Sequence, residues 1–263
     1  MEPPERRPGP AARDPARCRG GRAGGPAVIG ALLPVGAVGA EVYDDPPGAR
    51  LHPAEEAAMA HAVASRRQEF TSVRHCARLA LARLGVGYEP LVPGRLGAPR
   101  WPDGVSGSMT HCAGFRAAAV ARAGVLASVG IDAEPDRPLR PGMPESIALP
   151  AERARLAELS LERPGLAWDR LLFSAKEAVY KAWFPLTGRL LDFPEAEIRI
   201  DAGGTFRAVL LVPGPVVGGR AVRVLHGRWA AGRGLLVTAT GVPQPARAIS
   251  RTRAAREFTP SLL

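Results

Sequence analysis

Twice in succession this chain reads as helix followed by strands, and no other feature narrows its fold as far. The run "HPAEEAAMAHAVASRRQEFTSVRHCARLALARLG", residues 52–85, has the helical period, with Pro53 suited to a helix start, Glu55 and Glu56 in the first turn and Gly85 placed to end it. Its length calls for two helices or one kinked helix. At about 100° per residue, Arg67, Arg74 and Arg78 share one flank beside an apolar stripe of Phe70, Ala77 and Leu81. Arg66 lies about 80° from Arg74, so a kink near Ser65 is needed if both serve one site. A turn-rich loop leads to two strand-like runs, Ala117 to Ala121 and Leu126 to Glu134, joined through Ala123-Gly124 as a hairpin. The second round opens with helices over 150–161 and 167–184, the latter stopped by Pro185. Strands follow at 197–201, 205–212, 221–229 and 234–240, with a Gly-containing turn at 231–234. Ahead of both rounds, the apolar, Gly-punctuated residues 28–42 suggest one or two short strands. Helices and antiparallel strands grouped in two blocks specify an α+β fold rather than an alternating parallel sheet.

With 263 residues and 46% hydrophobic content, the chain can bury one large core or two smaller ones. Residues 1–26 are different: six Pro, five Gly and six Arg with almost no large apolar side chain read as a flexible leader. The formal net charge of +10 is concentrated at the ends, since residues 1–26 and 244–263 each contribute +3. The core keeps only +4, which reads against a nucleic-acid partner. Cys18, Cys76 and Cys112 are scattered, with neither disulfide nor zinc spacing, and fit a reducing, cytoplasmic compartment. "AVIGALLPVGAVGAEV" is interrupted by Pro34 and too short to cross a bilayer, so no membrane segment is expected.

Three segments carry chemistry. In "SVGIDAE", strand alternation sends Asp132 and Glu134 to one side and Val129, Ile131 and Ala133 to the other. Two like charges so placed suit a hard divalent cation such as Mg²⁺, which takes carboxylate oxygen and keeps places for phosphate and water. Alone, the pair also describes two solvated acids where a strand meets its loop. In "FSAKEAVYKAW" stand Lys176 and Lys181, the two lysines among 35 basic side chains. On a helix, Arg170, Ser174, Glu177 and Lys181 form one polar stripe, with Lys176 about 100° away from Glu177. Glu177 and Lys181 also have the spacing of an ordinary surface ion pair. In "GSMTHCAGF", Gly107, Ser108, Thr110 and His111 offer small residues, hydroxyls and an imidazole to an anion.

In this order, "GSMTHCAGF", "VGIDAE" and "FSAKEAVYKAW" resemble the motifs of the 4'-phosphopantetheinyl transferases, in the branch typified by the enterobactin synthetase component D. "RRQEFTSVRHCARLAL", "PRWPDG" and "FPLTGRLLDFPEAE" resemble that branch too, so the likeness spans roughly residues 28–240. It departs at Phe115, where Tyr is common, and in "PGRLGAP", which has Arg95 but no Lys.

The resemblance implies transfer of the 4'-phosphopantetheine arm of coenzyme A to a serine of an apo acyl or peptidyl carrier protein, releasing adenosine 3',5'-bisphosphate. By it, Asp132, Glu134 and Glu177 are expected to bind Mg²⁺, with Mn²⁺ as the alternative. Lys176 and Lys181 are expected at the coenzyme's phosphates, with Ser108, Thr110 and His111 from the first motif, and Arg66 and Arg74 at the 3'-phosphate end. Glu177 is the expected general base and Lys181 the other candidate. The implied architecture is two similar α+β halves, 27–138 and 139–243, related by a pseudo-twofold with the site in the cleft between them; "EPDRPLRPGMPE" marks the boundary, and 1–26 and 244–263 lie outside. A cytoplasmic monomer serving siderophore or other secondary-metabolite assembly is the expected setting. Two other readings are an inactive relative and a basic nucleic-acid-binding module acting through its tails.

Overall fold

The computed structural model describes residues 28–87 and 89–245, so the leader, Cys18 and nearly all of the Arg-rich tail lie outside the described residues. In chain order the elements are α1 (Val28–Leu32), β1 (Ala37–Val42), α2 (Pro53–Ala58), α3 (Ala64–Arg83), β2 (Val105–Cys112), β3 (Phe115–Arg122) and β4 (Leu126–Pro135). Then come α4 (Met143–Ile147), α5 (Pro150–Glu162), α6 (Trp168–Thr187), β5 (Ala196–Asp201), β6 (Thr205–Leu210), β7 (Val216–Val217), β8 (Arg220–Ala221), β9 (Val224–Gly232) and β10 (Leu235–Pro243). The fold is α+β, with antiparallel sheets of order β1-β3-β2 and β4-β10-β9-β6-β5, and a small β7-β8 pair. Among the described residues no helix is long and apolar enough to cross a membrane.

The expected hairpin of β3 and β4 does not form. The turn is there, closed by Val125 N–H on Arg122 O, but β3 pairs with β1 and β2 whereas β4 pairs with β10, the last strand among the described residues. β4, the strand with Asp132 and Glu134, is thus hydrogen-bonded into the sheet of the second block.

The seam between the two sheets is made by side chains. On alternate positions of β2, Ser106 donates to Leu126 O at 2.8 Å, Ser108 accepts Ile131 N–H at 3.1 Å and Thr110 accepts Ala133 N–H at 3.1 Å. These hydroxyls satisfy buried β4 backbone groups that would otherwise have to pair with water.

Three apolar clusters hold the layers. Cys76, Ala77, Ala80 and Leu81 of α3 pack on Ala118 and Val120 of β3. The other face of that sheet, through Phe115, Ala117 and Ala119, meets Val129 and Ile131 of β4 and Val237 of β10. Leu171, Leu172, Ala175 and Val179 of α6 cover the larger sheet through Ile198, Phe206 and Leu236. The approach of α6 to β4 is closest at Gly130, where a Cβ would fall 1.9 Å from Ala178 O. That contact of backbone on backbone brings the polar stripe of α6 up to β4.

Two helix boundaries differ from the sequence reading. Residues 28–32 are helical because Glu41, on the neighbouring strand, accepts Val28 N–H at 2.8 Å and Ile29 N–H at 2.7 Å, a cap no local pattern reveals. α6 runs through Pro185 to Thr187 and ends at Gly188, whose φ of 63° supplies the left-handed stop. The long helical run of the first block is two helices, broken between Ala58 and Ala64 rather than kinked at Ser65.

Candidate active site

A cleft of about 340 Å³ opens between α3, β2 and the C-terminal half of α6. Its walls include Arg66 and Arg74 from α3, Ser108, Thr110 and His111 from β2, Asp132 from β4 and Lys181 from α6, seven of the ten expected site residues. Tyr180, Phe184, Trp101 and Leu96 supply apolar wall. The ring of Trp101 lies against Gly107, where a Cβ would sit 2.7 Å from it. Gly107 therefore makes room for an aromatic wall, and the segment 107–111, which the sequence offers to an anion ahead of a strand, lies within the strand β2 itself.

At the floor, Lys181 Nζ donates to Asp132 Oδ1 at 2.6 Å and to Ile131 O at 3.2 Å, and Thr110 Oγ1 donates to the same Oδ1 at 3.2 Å. Lys181 thus reaches across to β4 instead of pairing with Glu177 along its own helix. Asp132 is 4% exposed and its Oδ2 is buried without a hydrogen-bond partner. Glu134 Oε2 accepts from Arg170 at 2.9 Å. Burial pushes the Glu134 carboxyl up from its ordinary range, as does the charge of Asp132, against the pull of Arg170 and Lys181. Burial also raises Glu177; Lys181 opposes this, and Asp132 and Glu134 add to it. Glu177 lines an adjoining hollow of about 260 Å³, with Tyr180 forming part of both walls.

Among the described residues no three His, Cys, Asp or Glu side chains form a ready-made metal cage. The donor chemistry nonetheless fits a hard cation that draws part of its shell from substrate phosphate and water, as Mg²⁺ does. Asp132 Oδ2 is a buried oxygen lacking a partner, and Glu134 and Glu177 are acids raised partly by Asp132's charge. A cation would relieve all three.

Also in the cleft, Arg66 donates to His111 Nε2 at 3.0 Å, and Glu69 stands 3.7 Å from His111 Nδ1. Burial lowers the His111 pKa; Glu69 opposes this, and Arg66, Lys181 and Arg116 reinforce it. Arg74 is buried, lies 3.1 Å over the Phe70 ring and donates through Nε to Leu91 O at 2.8 Å. Burial brings its pKa down to about 9 against the pull of Glu55. Arg66, in the first turn of α3, and Arg74, two turns on, reach one cleft through their long side chains without a kink.

Lys176 is not brought to the cleft. Its ammonium, on a side chain 2% exposed, meets Glu152 at 2.9 Å and donates to Phe193 O and Ala196 O, both at 2.8 Å. The offset of about 100° from Glu177 on the helical wheel carries it away from the cleft, and it lines the adjoining hollow with Glu177 and Tyr180. Sequence reasoning missed Gly130 as the contact that seats α6, Glu69 beside His111, and Arg170 as the partner of Glu134. Only Arg170 had a legible signal, its place on the stripe with Ser174, Glu177 and Lys181.

Comparison with known proteins shows the family. Residues 54–121 match the profile of the 4'-phosphopantetheinyl transferase N-terminal domain, and residues 128–228 that of the 4'-phosphopantetheinyl transferase superfamily. The chain is 59% identical over 223 residues to the 4'-phosphopantetheinyl transferase Svp of Streptomyces mobaraensis, covering 83% of this chain and 91% of that one. It is 49% identical over 205 residues to the transferase PptT of Mycobacterium tuberculosis, covering 76% and 89%. Enterobactin synthase component D of Escherichia coli strain K12 is 34% identical over 152 residues, 56% of this chain and 63% of that one.

Proposed function

The chain belongs to the 4'-phosphopantetheinyl transferase superfamily and moves the phosphopantetheine arm of coenzyme A to carrier proteins; from that premise we propose that the cleft between α3, β2 and α6 is the seat of the reaction. Arg66, Arg74 and His111 bind the coenzyme's 3'-phosphate end and Lys181 its diphosphate. The observation carrying this assignment is the Lys181–Asp132 contact at the floor of an arginine- and histidine-lined cleft, beside the partnerless Asp132 Oδ2.

A serine oxygen of the carrier forms a bond to the β-phosphorus while the bond from that phosphorus to the bridging oxygen breaks, and adenosine 3',5'-bisphosphate departs. Such transfer is helped mainly by positioning and by neutralising charge on the oxygens. Lys181, which donates to Asp132 and Ile131 O, covers the charge that grows on the departing diphosphate oxygen. Glu177, whose carboxyl makes no hydrogen bond or ion pair among the described residues, accepts the serine proton. Asp132, Glu134 and Glu177 are the residues that would hold Mg²⁺, or Mn²⁺ in its place. The ion, when bound, polarises the phosphoryl oxygens. Ser108 and Thr110 act through the strand: their hydroxyls fix the β4 backbone, and Thr110 orients Asp132.

The reading extends to a cytoplasmic monomer, with acyl or peptidyl carriers of siderophore or other secondary-metabolite assembly as acceptors. The free thiols of Cys76 and Cys112 support the reducing compartment, and the local likeness of the two blocks described below supports a pseudo-twofold relation. The test is turnover of coenzyme A on a panel of apo carriers, read as intact mass. Glu177→Ala is expected to lower turnover at least about 100-fold with the coenzyme still bound; undiminished turnover would remove Glu177 from its role.

A further inference from the structure

Two of the three carboxylates assigned to the ion, Asp132 and Glu134, are held by one oxygen each. Asp132 gives Oδ1 to Lys181 and Thr110 and keeps Oδ2 buried and without a partner. Glu134 is likewise engaged through one oxygen, with Oε2 accepting from Arg170 at 2.9 Å in an ion pair whose side chains are 16% and 20% exposed. Arg170 is itself anchored: Nε donates to Arg137 O and the second terminal nitrogen to Pro138 O, both at 3.2 Å. That linker is tied back to the start of α6, since Leu139 N–H donates to Asp169 at 2.8 Å and Ala167 N–H to Asp136 at 2.9 Å. The guanidinium therefore occupies a fixed position, and Glu134 Oε2 cannot turn toward the cleft without leaving it.

Divalent cations differ in what they ask of a carboxylate. Ca²⁺ takes six to eight oxygens and readily accepts both from one carboxylate, whereas Mg²⁺ requires a compact octahedron that one oxygen from each ligand satisfies. We infer that Arg170 is a specificity-determining residue of the transferase: by occupying Glu134 Oε2 it restricts Glu134 to a single oxygen and sets the site for a small octahedral cation against Ca²⁺. This rests on the reading that Asp132, Glu134 and Glu177 hold a divalent ion. Arg170 touches neither coenzyme nor acceptor in this role; it acts through Glu134.

The experiment is calorimetric titration of MgCl₂ and of CaCl₂ into the full-length protein saturated with coenzyme A, without carrier, so that binding is read in the absence of turnover. Arg170→Gln frees the second oxygen and is expected to shift the ratio of Mg²⁺ to Ca²⁺ affinity toward Ca²⁺ by at least about tenfold. Arg170→Lys, which can hold either the carboxylate or the linker carbonyls but not all of them, gives a smaller shift in the same direction and serves if the glutamine variant does not fold. In Glu134→Gln the charged second oxygen is gone, so adding Arg170→Gln there leaves the ratio where it was. A ratio within about twofold of wild type in folded Arg170→Gln that binds coenzyme A overturns the role of Arg170 alone. Absence of divalent binding in the wild type with coenzyme A bound overturns the cation site and this inference with it.

Discussion

The two blocks of the chain open in the same way and end differently. In the first, "LHPAEEA" starts α2; in the second, "ALPAERA" starts α5. Each places a buried glutamate at the third helical position, Glu55 and Glu152. One oxygen of each accepts the N–H that begins its own helix, from His52 at 2.9 Å and from Leu149 at 2.7 Å. The other accepts an N–H from the segment after the long helix, Leu91 at 2.8 Å and Ile198 at 2.6 Å. Each also meets cations from its 20-residue helix: Arg74 at 3.9 Å and Arg78 at 3.3 Å in the first block, Lys176 at 2.9 Å in the second. The same device knots helix, helix and following segment in both.

The difference lies in where the cation looks. Arg74 has a long planar fork: its Nε serves Leu91 O while the guanidinium remains in the cleft wall. Lys176 has three donors on one atom and uses them on Glu152, Phe193 O and Ala196 O, with nothing left over for a ligand. A lysine is retained there because three acceptors converge on a point, a geometry that a flat guanidinium does not match. The first block's knot reaches the cleft proposed for the coenzyme, and the second block's knot spends its cation on protein acceptors.

The largest effect expected from this comparison follows Lys176→Met. Removing the ammonium strands a buried carboxylate and two carbonyls, a change of the kind that costs about 3–5 kcal/mol. Chemical denaturation should show that loss, while the surviving folded enzyme keeps its coenzyme A KM within about twofold. A variant with near-normal stability and a much raised KM would mean that Lys176 serves the phosphates after all.

Glu55→Gln comes next. The amide keeps an acceptor for one N–H but loses the charge facing Arg74 and Arg78, and Arg78 retains a bond to Arg50 O. About 1.5–3 kcal/mol of stability should go. Here the coenzyme A KM is expected to rise several-fold as well, because Arg74 loses the group that fixes it in the cleft wall; an unchanged KM would separate the two functions and make the first knot as purely structural as the second.

These contrasts show what the sequence could and could not reveal. The stripe Arg170, Ser174, Glu177 and Lys181 was legible because helical period alone fixes it, and each member meets β4, β10 or the site. The strands after α6 were legible from alternation and their Gly-containing turn. The contacts of Lys176 were not legible because they depend on Glu152 and on two carbonyls 17 and 20 residues further on. The β3–β4 hairpin failed for the same reason: a good local turn cannot announce that β4's partner is the last described strand, 100 or more residues away. The repeated glutamate knot shares little beyond "PAE" and the Ala two residues later, too short to register as a repeat before the contacts were known.

Glu177 sharpens the comparison from the other side, as a sheltered glutamate without the partners that Glu55 and Glu152 enjoy. Burial raises its pKa above the ordinary 4.5, and the charges of Asp132 and Glu134 add to the rise against the pull of Lys181. For an acid so shifted, the folded chain holds its proton to higher pH than the unfolded chain does, so stability falls as pH rises from about 4.5 through the folded-state pKa. Above that window the loss is constant; below 4.5 both states are protonated and it disappears. Glu177→Gln has no charge to strand and should be more stable than wild type at neutral pH, by about 1 kcal/mol. Melting curves taken with chelator present, from pH 4 to pH 8, should therefore converge at the acid end and separate toward neutrality. Curves that stay parallel, or a glutamine variant less stable at pH 7, would show that Glu177 is held by partners much as Glu55 and Glu152 are, and would remove the strain that the cation is proposed to relieve.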